Sequence, residues 1–288
     1  MFINRTTPFV FAFLLLGSAS CHLTRHGRTP EVMPGTWQGL PVEIDGNSKD
    51  WPSPYPNYDS KARVAYATSN DEQYLYITME TGDEMTQMKI LQNGMTVSVD
   101  TSGKKEPQML VNFPMKNDNE LFEIPKPSKY ARPGSENELI SKQSVQKIKK
   151  GTGSASQYGL EGFGPCSGGY MANQSSTCGV KVRLGMDEYN ELVWEAAIPL
   201  ATLFPGKPLA QITGKPLSVC FAIKGYKKPE TKTEPDNMGQ SSAPRGGSAG
   251  MRNTAARGSN PKSAPVNPLQ PLYENTKTWK HFALAAKP

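Results

Sequence analysis

At 288 residues the chain could hold one large or two small domains, but 25 prolines and 26 glycines make much of it too irregular for core, so one domain with long excursions is expected. The formal net charge of +6 is spread along the chain with no zinc-finger or RNA-recognition motif beside it, which reads as a basic solvated surface and argues against a nucleic-acid partner. With three histidines and no G-x-S-x-G, H-E-x-x-H or P-loop, the usual parts for hydrolase, metalloprotease and nucleotide chemistry are missing, and a non-enzyme is expected.

In chain order, Met1 to Ser20 carries Arg5, an apolar run from Phe9 to Leu16 and the small residues Gly17-Ser18-Ala19-Ser20, which is the layout of a cleaved export signal (residues 1–20). The run is too short to span a bilayer. With Cys21 directly after it, L-L-L-G-S-A-S-C resembles a bacterial lipoprotein signal, although Ser18 stands where such signals usually have Leu. The resemblance implies that Cys21 is lipidated and becomes the first mature residue, so that membrane lipid is a partner and the location is the cell envelope, at the outer membrane on its periplasmic or surface face. Multiple acyl chains make such an anchor firm, each buried methylene contributing about 0.8 kcal/mol. Residues 21–40 lack periodicity and read as a flexible tether.

Pro41 to Ile44 reads as a brief strand before the turn Asp45-Gly46. An EF-hand reading of this turn fails, because Lys49 takes a ligand position and Pro56 stands where the closing Glu belongs. P-S-P-Y-P-N-Y after Trp51 is a surface crossing. Over Ala62–Glu80 two β-branched and aromatic runs flank Ser69-Asn70-Asp71-Glu72, and Leu75, Ile77 and Met79 alternate with Tyr74, Tyr76 and Thr78. That pattern predicts a hairpin over a core. Met85–Gln92 suits a short helix or an edge. Strands are expected at Met95–Asp100, Gln108–Phe113 and Glu120–Ile124. The stretch after Ser135-Glu136-Asn137-Glu138 fits a capped helix or a strand equally.

Cys166 and Cys178 bracket S-G-G-Y-M-A-N-Q-S-S-T, too polar to pack alone, and in an oxidising compartment a disulfide is expected there, contributing about 3 kcal/mol by loop closure. Cys220, within L-S-V-C-F-A-I, reads as a buried hydrophobe, and zinc would need a fourth ligand. Val180–Met186, Glu191–Leu200 and Leu217–Gly225 are further strands, with one helical turn at Thr202–Phe204. Residues 229–271 turn to Pro, Ser and Gly and read as a disordered insertion. Thr278–Leu284 completes the sheet, with a bulge so that Trp279, Phe282 and Leu284 can share a core. About nine to eleven short strands without βαβ alternation predict an all-β fold, an antiparallel β-sandwich of jelly-roll or immunoglobulin-like type with long irregular loops, spanning 41–285.

The series V-E-I-D-G-N-S-K-D-W, S-N-D-E-Q-Y-L-Y-I, M-T-V-S-V-D-T-S-G, E-L-V-W-E-A-A-I-P-L and W-K-H-F-A-L resembles the family 9 carbohydrate-binding-module-like domains, over Pro41 to Ala285. The resemblance implies a β-sandwich in which Ile44, Asp45, Gly46, Trp51, Asp71, Tyr74, Leu75, Tyr76, Asp100, Glu195, Ile198 and Pro199 are framework; some members of that family bind an oligosaccharide or polysaccharide end through aromatic stacking, and others sit in exported proteins with no known ligand. No pair of tryptophans matches a sugar clamp, and the Pro-Ser-Gly insertion departs from the family pattern. Flat aromatic faces suit sugar rings. Trp51, Tyr55, Tyr58 and Tyr170 are the ligand candidates, with Tyr55 and Tyr58 in the Pro-rich crossing the best placed for exposure. Asp71, Asp83 and Asp100 at strand ends could take calcium, though turn carboxylates commonly cap backbone instead; no other cofactor is expected. The function expected is non-catalytic glycan binding. The alternative is an envelope scaffold without a sugar ligand, in which the insertion contacts a protein partner.

Overall fold

A computed structural model describes residues 32–119, 121–124, 135–228 and 267–288, with backbone alone at 135–144. The export signal, Cys21 and residues 229–266 of the insertion lie outside the described residues.

In chain order the elements are β1 (Val32–Met33), β2 (Asn57–Asp59), β3 (Val64–Asn70), β4 (Tyr74–Thr81), α1 (Glu84–Asn93), β5 (Met95–Asp100), β6 (Met109–Asn112), α2 (Ser135–Ser154), β7 (Gln157–Glu161), β8 (Gly168–Met171), β9 (Lys181–Met186), β10 (Leu192–Pro199), α3 (Leu200–Leu203), α4 (Leu209–Ile212), β11 (Pro216–Ile223), α5 (Gln270–Tyr273) and β12 (Thr276–Ala283). They form a seven-stranded sheet, β1-β12-β11-β5-β6-β7-β8, and a five-stranded sheet, β2-β3-β4-β10-β9. Among the described residues every pairing between two of these strands is antiparallel except β1 with β12. This is the expected antiparallel β-sandwich.

The predicted hairpin is β3–β4, in register from Ala65↔Glu80 to Asn70↔Leu75. Its turn is shorter than the polar patch suggested. Ser69 and Asn70 continue the strand, while the Asp71 carboxylate caps the turn by accepting the N–H groups of Gln73 and Tyr74, each at 2.7 Å. Alternation then sorts the side chains: Leu75, Ile77 and Met79 of β4 and Trp194, Ala196 and Ile198 of β10 meet Val97, Val99, Val219 and Phe221 from the other sheet in one continuous core. Burying one such aliphatic side chain contributes about 1.5–3 kcal/mol. Trp194 satisfies its indole N–H on the Phe113 carbonyl at 2.9 Å, so its full burial leaves no orphan donor.

The structure settles some local alternatives and corrects other expectations. Met85–Gln92 is helical, as α1, because Asp83 caps it by accepting from Thr86 N and Gly94 ends it at φ +80°. Ser135–Ser154 is also helical. Leu121–Ile124 is not in a strand, nor is Pro41–Ile44. Strand β12 runs against β11 without a bulge from Thr276 to Ala283: Phe282 faces the core, whereas Trp279 shares the outer face with Cys220. The last part of the predicted tether belongs to the domain. There β1 pairs with β12, and Gly35 passes so close that a Cβ would lie 2.1 Å from the Ala283 carbonyl oxygen. Gln38 N and the Thr36 carbonyl then bond Asn70 at 2.8 and 3.0 Å.

Candidate functional site

The outer face of the five-stranded sheet carries a second, smaller apolar layer, where Trp51 lies on Ala67, Tyr76 and Ala197. Small side chains at 67 and 197 leave a trough for the indole. The segment that crosses this face is tied down by Glu195, wholly buried on β10, whose carboxylate accepts the Trp51 indole N–H and the backbone N–H groups of Gly46 (2.6 Å) and Asp45 (3.1 Å). Burial raises the Glu195 carboxyl to about 7, against the opposing pull of the Trp51 and Gly46 hydrogen bonds. Close approach is allowed by two glycines: a Cβ on Gly185 would sit 1.9 Å from the Gly46 carbonyl oxygen. Trp51 is therefore an anchor of the segment rather than a surface for ligand.

Beyond that anchor the chain turns through Pro52–Pro54 into edge strand β2 and leaves a cleft of about 390 Å³. Tyr55 lies inside it, half-buried, its hydroxyl 3.2 Å from Thr78 Oγ1. Burial first, and then the charges of Glu80, Glu195 and Asp187, push that hydroxyl above the ordinary phenol range, so Tyr55 stays neutral. Tyr58, 64% exposed on β2, and Tyr189, 76% exposed on the β9–β10 turn, also line the cleft. That turn, D-E-Y-N-E, is built on Asp187, whose Oδ1 accepts the N–H groups of Tyr189 (2.9 Å) and Glu191 (2.8 Å), with Asn190 in the left-handed region at φ 65°. Gln87 of α1 holds the turn in place, donating to the Asn190 carbonyl at 2.9 Å and to Thr81 at 2.8 Å.

Carboxylates converge on the same cleft. Glu80, Asp187 and Glu191 each offer an oxygen, all within 4.8 Å of one another, and this is the group among the described residues able to hold a metal ion. The placement follows from the pairing of β4 with β10, which sets Glu80 opposite Val193 and brings Glu191 to the strand end beside it. Glu80 rises to about 7, through burial first and then through hydrogen bonding and repulsion from Glu191, with Asp187 adding to the same effect. Below about pH 7 the protonated Glu80 carboxyl offers a donor as well as an acceptor for hydroxyl groups.

Of the aromatic residues predicted as ligand candidates, Tyr55 and Tyr58 are brought together here. Tyr170 is on β8 of the other sheet, stacked on Tyr158 with centroids 5.4 Å apart. The three aspartates named for calcium are spent on protein donors at separate places. Asp71 caps the β3–β4 turn and accepts the Tyr76 hydroxyl at 2.7 Å. Asp83 caps α1 and pairs with Arg63 at 2.7 Å, and Asp100 accepts Ser102 N, Ser102 Oγ and Glu106 N. Cys166 and Cys178 are free thiols rather than the predicted disulfide, and Cys220 is the buried hydrophobe that the sequence suggested. Tyr189 and the three carboxylates escaped the sequence reading. Only the Asp187–Asn190 turn pattern between two strands pointed toward them.

The fold and cleft together define a two-sheet antiparallel β-sandwich with an aromatic and acidic cleft on one outer face. No family model matches the chain, and no curated protein matches it. Among solved structures it is similar to a carbohydrate binding module family 9 from Caldicellulosiruptor kristjanssonii in complex with glucose, at 11% identity over 67% of this chain and 78% of that one, with a TM-score of 0.29. The similarity to such a module in complex with cellotriose is 11% over 67% and 76%, again at 0.29. A TM-score this low carries no functional assignment.

Proposed function

We propose that the domain binds glycan without transforming it, in the cleft lined by Tyr55, Tyr58 and Tyr189. The observation that carries this reading is the exposure of Tyr58 and Tyr189, large aromatic rings left uncovered at one cleft of about 390 Å³. Tyrosine faces cover the C–H faces of sugar rings, and the Glu80, Asp187 and Glu191 oxygens accept from sugar hydroxyls in charge-assisted bonds. The same carboxylates repel anionic sugars, so the ligand class is neutral oligosaccharide rather than uronic-acid or sulfated glycan.

A glycan array followed by calorimetry tests this reading. Neutral oligosaccharides bind, and Tyr58→Ala or Tyr189→Ala each weakens binding about tenfold, which is about 1.4 kcal/mol. Absence of any oligosaccharide binding at millimolar concentration removes the proposal.

The location belongs to the same proposal: the protein is a lipid-anchored component of the cell envelope, supported by the residue pattern around Cys21. Mass spectrometry of membrane-extracted protein is expected to find an acylated Cys21 as the N-terminus. A non-acylated N-terminus removes the anchor.

A further inference from the structure

The cleft that holds Tyr55 does not end at Tyr58. A second cavity of about 460 Å³ adjoins it on the same outer face, and the two share Tyr58, Ala65, Glu80 and Glu191 as lining. Strand pairing explains the junction: Tyr58 lies opposite Ala65 and Ala65 opposite Glu80, so the three side chains form one row across β2, β3 and β4. Neighbouring strands run about 4.8 Å apart, which sets Tyr58 and Glu80 about 10 Å apart with only the Ala65 methyl group between them. Glu191 borders both cavities and passes over Gly82, where a Cβ would lie 2.9 Å from its Oε1. Beyond the junction the second cavity is lined by the ion pair of Arg63 and Asp83. Arg63 occupies the left-handed region at φ 56°, in a turn tied by Ala62 N on Asp59 Oδ1 and by the Thr81 hydroxyl on the Arg63 carbonyl, each at 2.8 Å. A non-glycine residue keeps that backbone only where its surroundings hold it. Here they hold Arg63 at the cavity with its side chain 42% exposed.

Building on the glycan reading of the Tyr55, Tyr58 and Tyr189 cleft, we propose that the two cavities are one trough, kept open by Ala65, that takes a linear neutral oligosaccharide longer than a disaccharide and seats its extra rings against Arg63 and Asp83. Each cavity alone falls in the size range of ligand sites, about 300–1,000 Å³. Tyr55 and Tyr189 line the first and not the second, whereas Arg63 and Asp83 line the second and not the first. A short sugar is therefore held mainly by aromatic faces, and each added ring gains polar contacts. Arg63 pairs with Asp83 through Nη1 at 2.7 Å, and a guanidinium carries further donors on Nε and Nη2 for ring hydroxyls. Those donors complement the acceptor oxygens of Glu80 and Glu191 at the junction, so a sugar chain crossing Ala65 meets acceptors and then donors. Ala65 is half-buried on the floor of the trough, and a longer side chain there would divide it.

Calorimetric titration of the purified full-length chain with neutral gluco-, manno- and xylo-oligosaccharides, from mono- to tetrasaccharide, tests the trough. Within the series that binds, the tetrasaccharide is expected to bind about tenfold more tightly than the disaccharide. Arg63→Ala is expected to lose most of that gain while its disaccharide affinity stays at the parent value, and Ala65→Leu to lose the gain by filling the junction. Equal affinity of the parent chain for disaccharide and tetrasaccharide overturns the trough and leaves the first cavity as a glycan site. A gain with length that either variant retains overturns it as well. Binding of no oligosaccharide in any series removes the glycan reading and the trough together. The length dependence is read on the parent chain, so it stands whether or not either variant folds.

Discussion

Glu80→Gln should stabilise the domain at alkaline pH and do little at acid pH. In the folded chain Glu80 is raised from 4.5 to about 7, so its proton is held more tightly than in the unfolded chain. The stability from that proton is fully present below the unfolded value and is lost as pH rises through about 7. Glutamine mimics the protonated side chain and abolishes the loss. The full shift of about 2.5 units corresponds to about 3.4 kcal/mol, but the group is only part-buried and its charge is screened by solvent, so the expected gain at pH 8 is about 1–2 kcal/mol. For a domain of this size that is about 2–8 °C in Tm. Differential scanning fluorimetry at pH 4 and pH 8, with a chelator present so that no cation compensates the carboxylates, measures the difference. A variant no more stable than the parent at pH 8, or one whose gain is as large at pH 4, refutes the crowding of Glu80 by Glu191 and Asp187.

Gly185→Ala places a Cβ 1.9 Å from the Gly46 carbonyl oxygen, backbone against side chain with no rotamer to relieve it. The segment bearing Trp51 must lift, costing about 1–3 kcal/mol in urea unfolding and shifting tryptophan emission to the red. Gly39→Ala, with nothing within 4 Å of the added atom, is neutral. Equal behaviour of the two variants contradicts the anchoring of residues 45–51 on β9.

The hairpin and the strand around Glu191–Leu200 were legible because their period of two is set locally: every second residue of β4 and β10 enters the core. Helix α2 was not, since L-I-S-K-Q-S-V-Q-K-I-K-K spaces its few apolar residues to suit either period. Strand β1 has two residues and exists through a non-local approach, Gly35 against Ala283. The apparent bulge in β12 came from assuming that Trp279 must be core, whereas the outer face also offers it a half-buried place. In the cleft, Tyr55 and Tyr58 could be picked out because prolines kept their segment on the surface. Trp51, in the same segment, could not be told apart from them: its burial depends on Glu195, a residue 144 positions away. Glu80 and Glu191 meet through strand pairing, and no spacing in the sequence announces it.

The central claim is that the exposed tyrosines make the cleft a glycan site. Calorimetric titration of the best neutral oligosaccharide from an array into the parent chain and into a Tyr58→Ala/Tyr189→Ala variant tests it most directly. Saturable binding to the parent is expected, with a loss of roughly a hundredfold in the variant and its unfolding midpoint unchanged because both rings lie outside the core. Equal affinity of parent and variant would contradict it.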